Sequence, residues 1–365
     1  MRSKILLLCN SASGLYDFRG LLIQQLISNG NEVVALVPDG LKMELFNELG
    51  VRVIETPIDR RGVNPKTDLT LFLLYSKVFK IEKPNLIITY TIKPNIYGGL
   101  AAKRLGISYV ANVTGLGTTF QKENLLKWLV SMMYKSSLKK AGTVFFENIG
   151  DRDTFLKNNI ICSIEQTCVL NGAGVDIERF VYTEYPRDTL ISFLYIGRLM
   201  KEKGVDELFC VMTRLRSENI PCKLVVLGDY EEDYELIIKE YSDEGWLDYK
   251  GYQNDVRPFI ANSHCFVLPS WHEGMANTNL ECAAMGRPVI TSNIHGCLEA
   301  VENEVSGFLC NKRDVDDLYE KMKEFISLSY EERKAMGLAG RKRMEEMFDK
   351  REIVKKTINR LFGKD

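Results

Sequence analysis

Two carboxylates lie eight positions apart in the segment EGMANTNLE, residues 273–281, where they enclose a glycine and a run of small polar residues. The segment follows an apolar run, CFVLPS at 265–270, and leads into CAAMG at 282–286. This order predicts a strand, then a turn at Gly274, then a helix. Such a junction lies at the carboxyl end of its strand, where open parallel sheets bind ligands.

The first turn of that helix has chemistry of its own. Asn277 and Thr278 are plausible first-turn residues, whose unpaired N–H groups attract an anion. Glu273 and Glu281 flank these N–H groups and are suited to accept hydrogen bonds from sugar or ribose hydroxyls. Taken alone, the segment is better explained by a capping acid and a solvent-facing helical acid.

A second strand-to-helix turn carries cations. In GRLMKEKG, residues 197–204, Gly197 permits a tight exit from the strand, and Arg198 and Lys203 lie five positions apart. Two cations beside a helix N-terminus can converge on a diphosphate, with the arginine giving forked hydrogen bonds and the lysine a point charge. A solvated basic turn explains the same residues equally well in isolation.

A third turn follows the first strand, in NSASGLYDFRG at 10–20. Gly14 and its small neighbours allow the backbone to approach a ligand closely and direct N–H groups at an anion. This signal is weak alone, because many strand–helix turns have the same composition.

Continuous apolar strands that alternate with helices position these turns. In the first half, strands are predicted at 4–9, 32–37, 51–55, 85–90, 108–112 and 143–147, with helices at 18–29, 67–82, 94–105 and 123–140. Glycines, a proline and mixed polarity at 171–190 indicate a linker. The alternation then resumes, with strands at 190–196, 222–228, 266–269, 288–291 and 307–309. We therefore expect two doubly wound, Rossmann-like α/β domains with parallel sheets, facing each other across a cleft.

Composition restricts the class of protein. The 365 residues are 45% hydrophobic and 27% charged, and they contain no long apolar run, which is ordinary for a globular protein without a spanning helix. Nine scattered cysteines indicate reduced thiols in the cytosol, and three separated histidines do not indicate a zinc site. Residues 1–170 hold 21 basic and 14 acidic residues, a balance of +7, whereas the remainder has a balance of −8. The first half is thus predicted to face something anionic, with solvated surface charge as the alternative.

Together these motifs resemble family 4 of the retaining glycosyltransferases, which have the GT-B fold. GRLMKEKG is similar to the family's basic loop, and the two glutamates of 273–281 are similar to its donor-site signature. NGAGVDIERF at 171–180 resembles the start of its second domain, and 288–309 its later core. The resemblance implies an N-terminal acceptor-side domain at 1–170, a nucleotide-sugar domain at 171–347, and a helix near 348–365 that returns to the first domain.

The resemblance also implies a role for each matching residue. Arg198 and Lys203 would neutralise the diphosphate of the leaving group, and Glu273 would contact the donor sugar. Glu281 would bind the ribose hydroxyls. The other residues expected around the donor are Gly14, Gly197, Gly251, Tyr252, Gly274, Met275, Ala276, Asn277 and Thr278, with Gly251 and Tyr252 beside the base.

One residue departs from the family pattern. Many members carry a histidine after a strand of the first domain, whereas Thr114 occupies that place in NVTGLGTTF at 112–120. A hydroxyl there can contact the sugar but cannot act as a charged donor. Thr114, Asp17 and Arg19 are the residues expected on the sugar or acceptor side.

The implied reaction moves a sugar from a nucleotide sugar, expected to be a UDP-sugar, to a glycan acceptor linked to a polyprenyl diphosphate, in surface polysaccharide assembly. The departing phosphate would take the acceptor's proton on the same face, so neither a protein base, a cofactor nor a metal ion is expected. Two alternatives stay open: a UDP-sugar 2-epimerase, and a catalytically silent subunit that binds nucleotide sugar. The basic residues form no nucleic-acid-binding motif.

The segment 122–140, KENLLKWLVSMMYKSSLKK, combines five lysines with leucines, methionines and a tryptophan. A basic amphipathic helix of this kind can lie on an anionic membrane surface. An ordinary core-facing helix with a solvated lysine face is the alternative. The first interpretation makes the protein cytoplasmic and peripheral to the inner face of the cell membrane.

Overall fold

The computed structural model describes residues 3–40, 42–59, 62, 64–117, 120 and 125–363. These residues form two compact units: unit 1 comprises 1–173 with 351–365, and unit 2 comprises 174–350. The thirteen strands are β1 Lys4–Leu8, β2 Glu32–Val37, β3 Arg52–Glu55, β4 Leu86–Tyr90, β5 Tyr109–Val113, β6 Val144–Phe146, β7 Thr167–Val169, β8 Ile191–Ile196, β9 Cys222–Leu227, β10 Leu247–Tyr249, β11 Cys265–Leu268, β12 Val289–Ser292 and β13 Gly307–Cys310.

The α-helices of the described residues are α1 Ala12–Ser28, α2 Met43–Glu48, α3 Pro65–Glu82, α4 Gly99–Leu105, α5 Leu125–Leu138, α6 Ile149–Lys157, α7 Val205–Ser217, α8 Glu235–Asp243, α9 Arg257–Ala261, α10 Asn277–Ala284, α11 Val315–Ser327, α12 Tyr330–Met347 and α13 Lys350–Phe362. A π-helical turn, Pro94–Gly98, leads into α4. Within the described ranges, no helix combines the length and the apolarity that crossing a lipid bilayer requires.

Unit 1 is a parallel sheet of seven strands in the order β3-β2-β1-β4-β5-β6-β7. Its strands are apolar along their length because both faces are covered. On one face, side chains of β1, β2 and β4 pack against α1 and α13; on the other, they pack against α3, the π-helical turn and α5. The helix after residue 348 thus packs on the first sheet.

Unit 2 is a parallel sheet of six strands in the order β10-β9-β8-β11-β12-β13, with one continuous core that includes α7, α10, α11 and α12. The predicted pair of parallel-sheet α/β folds is confirmed. Two strands were missed, β7 and β10, which have three residues each and no apolar run.

The segment 174–190 is not the free linker that its composition indicates. Phe180 is buried in the core of unit 2, and Tyr185 is buried with its ring against His264 and Tyr330. Arg341 donates hydrogen bonds to the carbonyls of Ile177 and Phe180, which ties this irregular segment to α12. The segment is therefore an integral layer of unit 2, held by buried side chains and by arginine rather than by regular structure.

Candidate functional site

Three glycines follow three neighbouring strands of unit 2 and lie side by side. Gly197 follows β8, Gly228 follows β9, and Gly251 lies just beyond β10. The Gly197 amide donates to the carbonyl of Leu227, and the Gly228 amide donates to Gly251, both over 2.9 Å. A Cβ on Gly228 would lie 1.9 Å from the Gly197 carbonyl oxygen, and its φ of +136° is strained for other residues. The carboxyl edge of the sheet is therefore lined by backbone without side chains beyond β8, β9 and β10.

Arg198 extends from the edge of this glycine row. One guanidinium nitrogen lies 3.0 Å from a carboxylate oxygen of Glu231, and the arginine side chain is 49% exposed. The buried hydroxyl of Tyr195 donates to the Arg198 carbonyl over 2.8 Å and fixes the backbone. Burial raises the pKa of the Tyr195 phenol well above its usual value, so this hydroxyl stays protonated as a donor. The guanidinium is thus an accessible cation on a fixed backbone.

Lys203 and Glu273 meet directly, although they lie 70 positions apart in the sequence. The lysine Nζ is 2.5 Å from Oε1 of Glu273, and both side chains are mostly buried. The Ser270 hydroxyl donates to the same carboxylate oxygen over 2.8 Å. Gly204, with φ +73°, follows the lysine, and a Cβ there would lie 2.1 Å from the Pro269 carbonyl oxygen. The basic loop and the loop of the first glutamate are therefore packed tightly together.

The helix after Glu273 begins as the sequence predicts, with Asn277 as the first residue of α10. Its N-cap is Ala276, which has no side chain that can cap the first N–H groups. The Ala276 amide donates to the Gly296 carbonyl over 2.7 Å, and Oδ1 of Asn277 is buried with no partner among the described residues. The positive end of the helix dipole suits an anion, whereas the unsatisfied amide oxygen suits a hydrogen-bond donor such as a hydroxyl group of the ligand.

The remaining donor-side residues occupy the same edge of the sheet or α10. Met275 and Ala276 are buried, Thr278 lies in the first turn of α10, and Glu281 lies in its second turn, half-buried. Gly274 is half-buried in the loop between Glu273 and Met275. Tyr252, beyond Gly251, is 53% exposed and presents an aromatic ring to the solvent. The roles assigned to these residues stay predictions.

His272 precedes Glu273 in the chain and is a further titratable residue of this site. Its Nε2 lies 3.6 Å from a carboxylate oxygen of Glu202, and its Nδ1 is buried without a hydrogen-bond partner among the described residues. Burial lowers the pKa of the imidazole, and the Glu202 and Glu273 carboxylates oppose that effect. The side chain is therefore mainly neutral at neutral pH and leaves one ring nitrogen available beside the Lys203–Glu273 pair.

In unit 1 the structure corrects the expected loop around Gly14. The helix α1 starts at Ala12, earlier than the predicted residue 18, because the Ser11 side chain caps it. Gly14 is therefore a first-turn residue, and its amide donates to the Ser11 hydroxyl over 3.1 Å. The predicted loop is thus the first turn of α1, and the role of Gly14 beside a phosphate stays a prediction.

The acceptor-side residues of unit 1 are largely engaged with other side chains. The two carboxylate oxygens of Asp17 lie 2.6 and 2.8 Å from Nζ of Lys42. Arg19 is buried and lies 2.5 Å from Glu147, a residue that the sequence did not single out. Burial raises the pKa of Glu147, and Arg19 opposes that effect. Thr114, in contrast, is partly exposed directly after β5, at the carboxyl edge of the sheet.

Sequence reasoning missed Glu231, Ser270, Tyr195 and Gly296. One signal was available for the first: an acidic run, DYEED at 229–233, follows a strand at the same sheet edge as Arg198. For Gly296 only the structure shows the role: its φ is +90°, and a Cβ there would lie 2.4 Å from the carbonyl oxygen of Glu273.

Two protein-family models match this chain. A family model described as glycosyl transferases group 1 matches residues 179–343, and one described as glycosyl transferase 4-like matches residues 4–148. Most of unit 2, including its basic loop and two glutamates, falls within the first model, and most of unit 1 falls within the second.

Among curated proteins, the chain is 29% identical to a Campylobacter jejuni N,N'-diacetylbacillosaminyl-diphospho-undecaprenol α-1,3-N-acetylgalactosaminyltransferase, over 90% of this chain and 89% of that protein. It is 27% identical to an Escherichia coli UDP-Gal:α-D-GlcNAc-diphosphoundecaprenol α-1,3-galactosyltransferase, over 73% and 72%. Among solved structures, Anabaena Alr3699/HepE in complex with UDP and glucose has a TM-score of 0.80 at 17% identity, with 99% of both chains covered. That last likeness supports the fold alone.

Proposed function

This chain belongs to the family 4 glycosyltransferases of the GT-B fold, and we propose that it transfers a hexose or N-acetylhexosamine from a UDP-sugar to a lipid-linked glycan with retention of configuration. The observation that carries the proposal is the cluster at the carboxyl edge of unit 2. Lys203 forms an ion pair with Glu273, and Arg198, five positions earlier in the chain, is half-exposed. The helix α10 begins without a side-chain cap. These are the groups that a sugar diphosphate requires.

The chemistry follows from where charge develops. As the anomeric C–O bond breaks, negative charge grows on the diphosphate while the sugar ring becomes oxocarbenium-like. Arg198, Lys203 and the first N–H groups of α10 stabilise that diphosphate charge, which is the larger electrostatic task. Glu273, held by Ser270 and Lys203, accepts hydrogen bonds from sugar hydroxyls, and the leaving phosphate takes the acceptor's proton.

The acceptor class comes from the relatives. The two transferases compared above act, by their names, on saccharides linked to undecaprenyl diphosphate. We extend that acceptor class to this chain, and with it a role in polysaccharide biosynthesis. Unit 1 supports the extension, since residues 1–170 carry a balance of +7 and a lipid diphosphate is anionic.

Helix α5 supports a peripheral contact with the membrane that holds such an acceptor. Leu125, Trp128, Leu129 and Met132 are 78, 60, 47 and 48% exposed, at a spacing that forms one stripe. α5 packs on the core of unit 1 through Tyr134 and Leu138, and these four residues are not part of that core cluster. Residues 122–124 of the predicted segment lie outside the described residues. We propose that the stripe lies on the cytoplasmic face of the membrane.

The transfer reaction is tested by measuring UDP release and product formation with a panel of UDP-sugars, with and without a polyprenyl-diphosphate-linked saccharide. The key variant is Lys203→Met, and the matched control is Lys201→Met, an exposed lysine of the same turn. We expect Lys203→Met to lower kcat/KM about 10- to 100-fold, as loss of one charge-assisted contact requires, and Lys201→Met to stay near wild type. Equal activity of both variants would refute the assignment of Lys203.

The same assay separates the alternatives. An epimerase would interconvert UDP-sugars without an acceptor, and a silent subunit would bind UDP without turnover. We further propose that the cations of the site replace a metal ion, so activity should persist in EDTA. Loss of activity in EDTA that Mg²⁺ or Mn²⁺ restores would contradict that part of the proposal.

Membrane contact is tested separately by flotation with anionic liposomes. Trp128→Ser should reduce vesicle binding, whereas Leu236→Ser, at an 86% exposed leucine on α8 of unit 2, should not. Equal binding of the two variants would remove α5 from the contact.

A further inference from the structure

A second feature of unit 1 lies at the surface of the helices α3, α4 and α5. A cavity of about 370 Å³ is lined by Phe72 of α3, by Leu100, Lys103 and Arg104 of α4, and by Lys140 just after α5. Arg104 and Lys140 are exposed, whereas Phe72 and Leu100 pack partly against the core. The cavity therefore has an apolar floor and a cationic rim.

Among the residues that the structure describes, no acid lines the cavity, and its rim is therefore strongly positive. Residues 65–140 contain twelve lysines and arginines but three acids: Asp68, Glu82 and Glu123. Asp68 binds Lys93, and Glu82 binds Lys4 and Arg52, so both are already neutralised elsewhere; Glu123 lies outside the described residues. Three cations around one cavity repel one another, and an anion placed among them relieves that repulsion.

The individual donors suit a phosphate group. The Lys103 ammonium donates to the Ser136 carbonyl over 2.7 Å and to the Ser136 hydroxyl over 3.5 Å, which fixes the ammonium and leaves one N–H group for a ligand. Arg104 can offer a forked pair of N–H groups, and Lys140 adds a mobile point charge. A rigid cation, a fork and a flexible cation together can surround a phosphate diester.

The surroundings of the cavity indicate where that phosphate comes from. On the three-helix layer that forms the cavity, α3 exposes Leu69 and Leu73 at 58 and 55%, and α5 exposes the stripe around Trp128. Exposed apolar side chains on the same layer as a basic cavity match a membrane surface, in which apolar chains lie beneath anionic head groups.

We propose that this cavity binds the head-group phosphate of an anionic phospholipid, with Lys103, Arg104 and Lys140 around the phosphate and Phe72 and Leu100 against the apolar start of the lipid chains. This inference rests on the proposed function, because it explains how an enzyme of lipid-linked acceptors holds its orientation on a membrane. The cavity is distinct from the α5 stripe, which supplies apolar contact without a defined anion site.

The test measures flotation of the full chain with two kinds of vesicle. One contains phosphatidylcholine alone, and the other contains about 30% phosphatidylglycerol, which makes its surface anionic. The variant is R104Q/K140Q, and the matched control is K157Q/K239Q, which removes two exposed lysines that do not line the cavity. We expect R104Q/K140Q to bind phosphatidylglycerol vesicles about 30-fold more weakly, at about fivefold per basic residue near the surface. The control should bind within about twofold of wild type.

A second measurement separates a lipid site from a site for free phosphate. Short-chain phosphatidylglycerol, below its micelle concentration, should bind wild type and compete with vesicles, whereas inorganic phosphate at the same concentration should not. Competition by inorganic phosphate alone, or equal vesicle binding by R104Q/K140Q and its control, would overturn the proposal.

Measuring sugar transfer to a water-soluble acceptor with a short prenyl chain distinguishes a failure of the proposed function from a failure of the proposed lipid site. R104Q/K140Q should retain that activity. If wild type lacks it, the proposed function fails; if wild type has it but ignores phosphatidylglycerol, only the lipid site fails.

Discussion

Replacing Glu231 with glutamine should tighten UDP binding, which is an unusual direction for a change at a ligand site. In the structure Arg198 is held 3.0 Å from the Glu231 carboxylate. If Arg198 binds the diphosphate, it must leave this partner, and the free energy of the ion pair then opposes UDP binding. Glutamine keeps the size of the side chain and removes the charge.

The magnitude follows from exposure. The Arg198 side chain is 49% exposed and that of Glu231 is 28% exposed, so the pair is well screened by water. Pairs of this kind contribute about 0.2–1 kcal/mol, which corresponds to a tightening of about 1.4- to 5-fold in Kd. The gain should shrink at high salt, because screening weakens the pair further.

Isothermal titration with UDP at low and high salt measures the effect, and a double-mutant cycle identifies its cause. Glu231→Gln should have no effect in an Arg198→Ala background, where there is no cation to release. Glu232→Gln is the matched control, since the Glu232 carboxylate accepts from the Lys201 amide over 2.8 Å and does not contact Arg198 in the described hydrogen bonds. A gain that persists without Arg198, or weaker UDP binding in Glu231→Gln, would refute the reasoning.

Other changes test the scaffold of unit 2. Arg287 is buried, and its five N–H groups lie within hydrogen-bond distance of seven oxygens, six of them backbone carbonyls. Arg287→Met should therefore lower the free energy of unfolding by about 4 kcal/mol in urea titrations, and a loss below about 1 kcal/mol would contradict this role. Gly204→Ala should lower the Tm and weaken UDP binding together, because the new Cβ would displace the Pro269 carbonyl beside Lys203, and an unchanged Tm would show that the turn relaxes freely. His264 accepts a hydrogen bond from the Ser192 amide at Nδ1, and burial lowers its pKa, so its contribution to stability is full above about pH 6.5 and is lost as the pH falls. Urea unfolding between about pH 7.5 and 5 should therefore have a shallower pH slope in His264→Gln than in wild type, and identical slopes would argue against a neutral buried imidazole.

The architecture could be predicted because it depends on local patterns. Continuous apolar runs such as 32–37 and 85–90 became buried parallel strands, and the alternation with helices required helices on both faces. The short strands β7 and β10 were missed because each has only three residues, with none fully buried in β7 and one in β10, which leaves no period to detect. The start of α1 was misplaced because Gly14 suggested a loop, whereas the Ser11 cap started the helix before it.

Pairing between distant residues could not be predicted. Nothing in the sequence indicates that Lys203 meets Glu273, or that Arg19 is buried against Glu147, 128 positions away. Such contacts depend on side-chain rotamers and on the exact separation of loops at a sheet edge, which no local pattern encodes. The residue types at the donor side were thus found by motif, whereas their partners, including Glu231 and Ser270, required the structure.

A crystal structure of the protein with UDP is the most direct test of the central claim. We predict that the β-phosphate lies about 3 Å from the Lys203 ammonium and the Arg198 guanidinium, at the first N–H groups of α10, with Arg198 released from Glu231. Density for the diphosphate elsewhere on unit 2, with Arg198 still on Glu231 and Lys203 still on Glu273, would contradict the account.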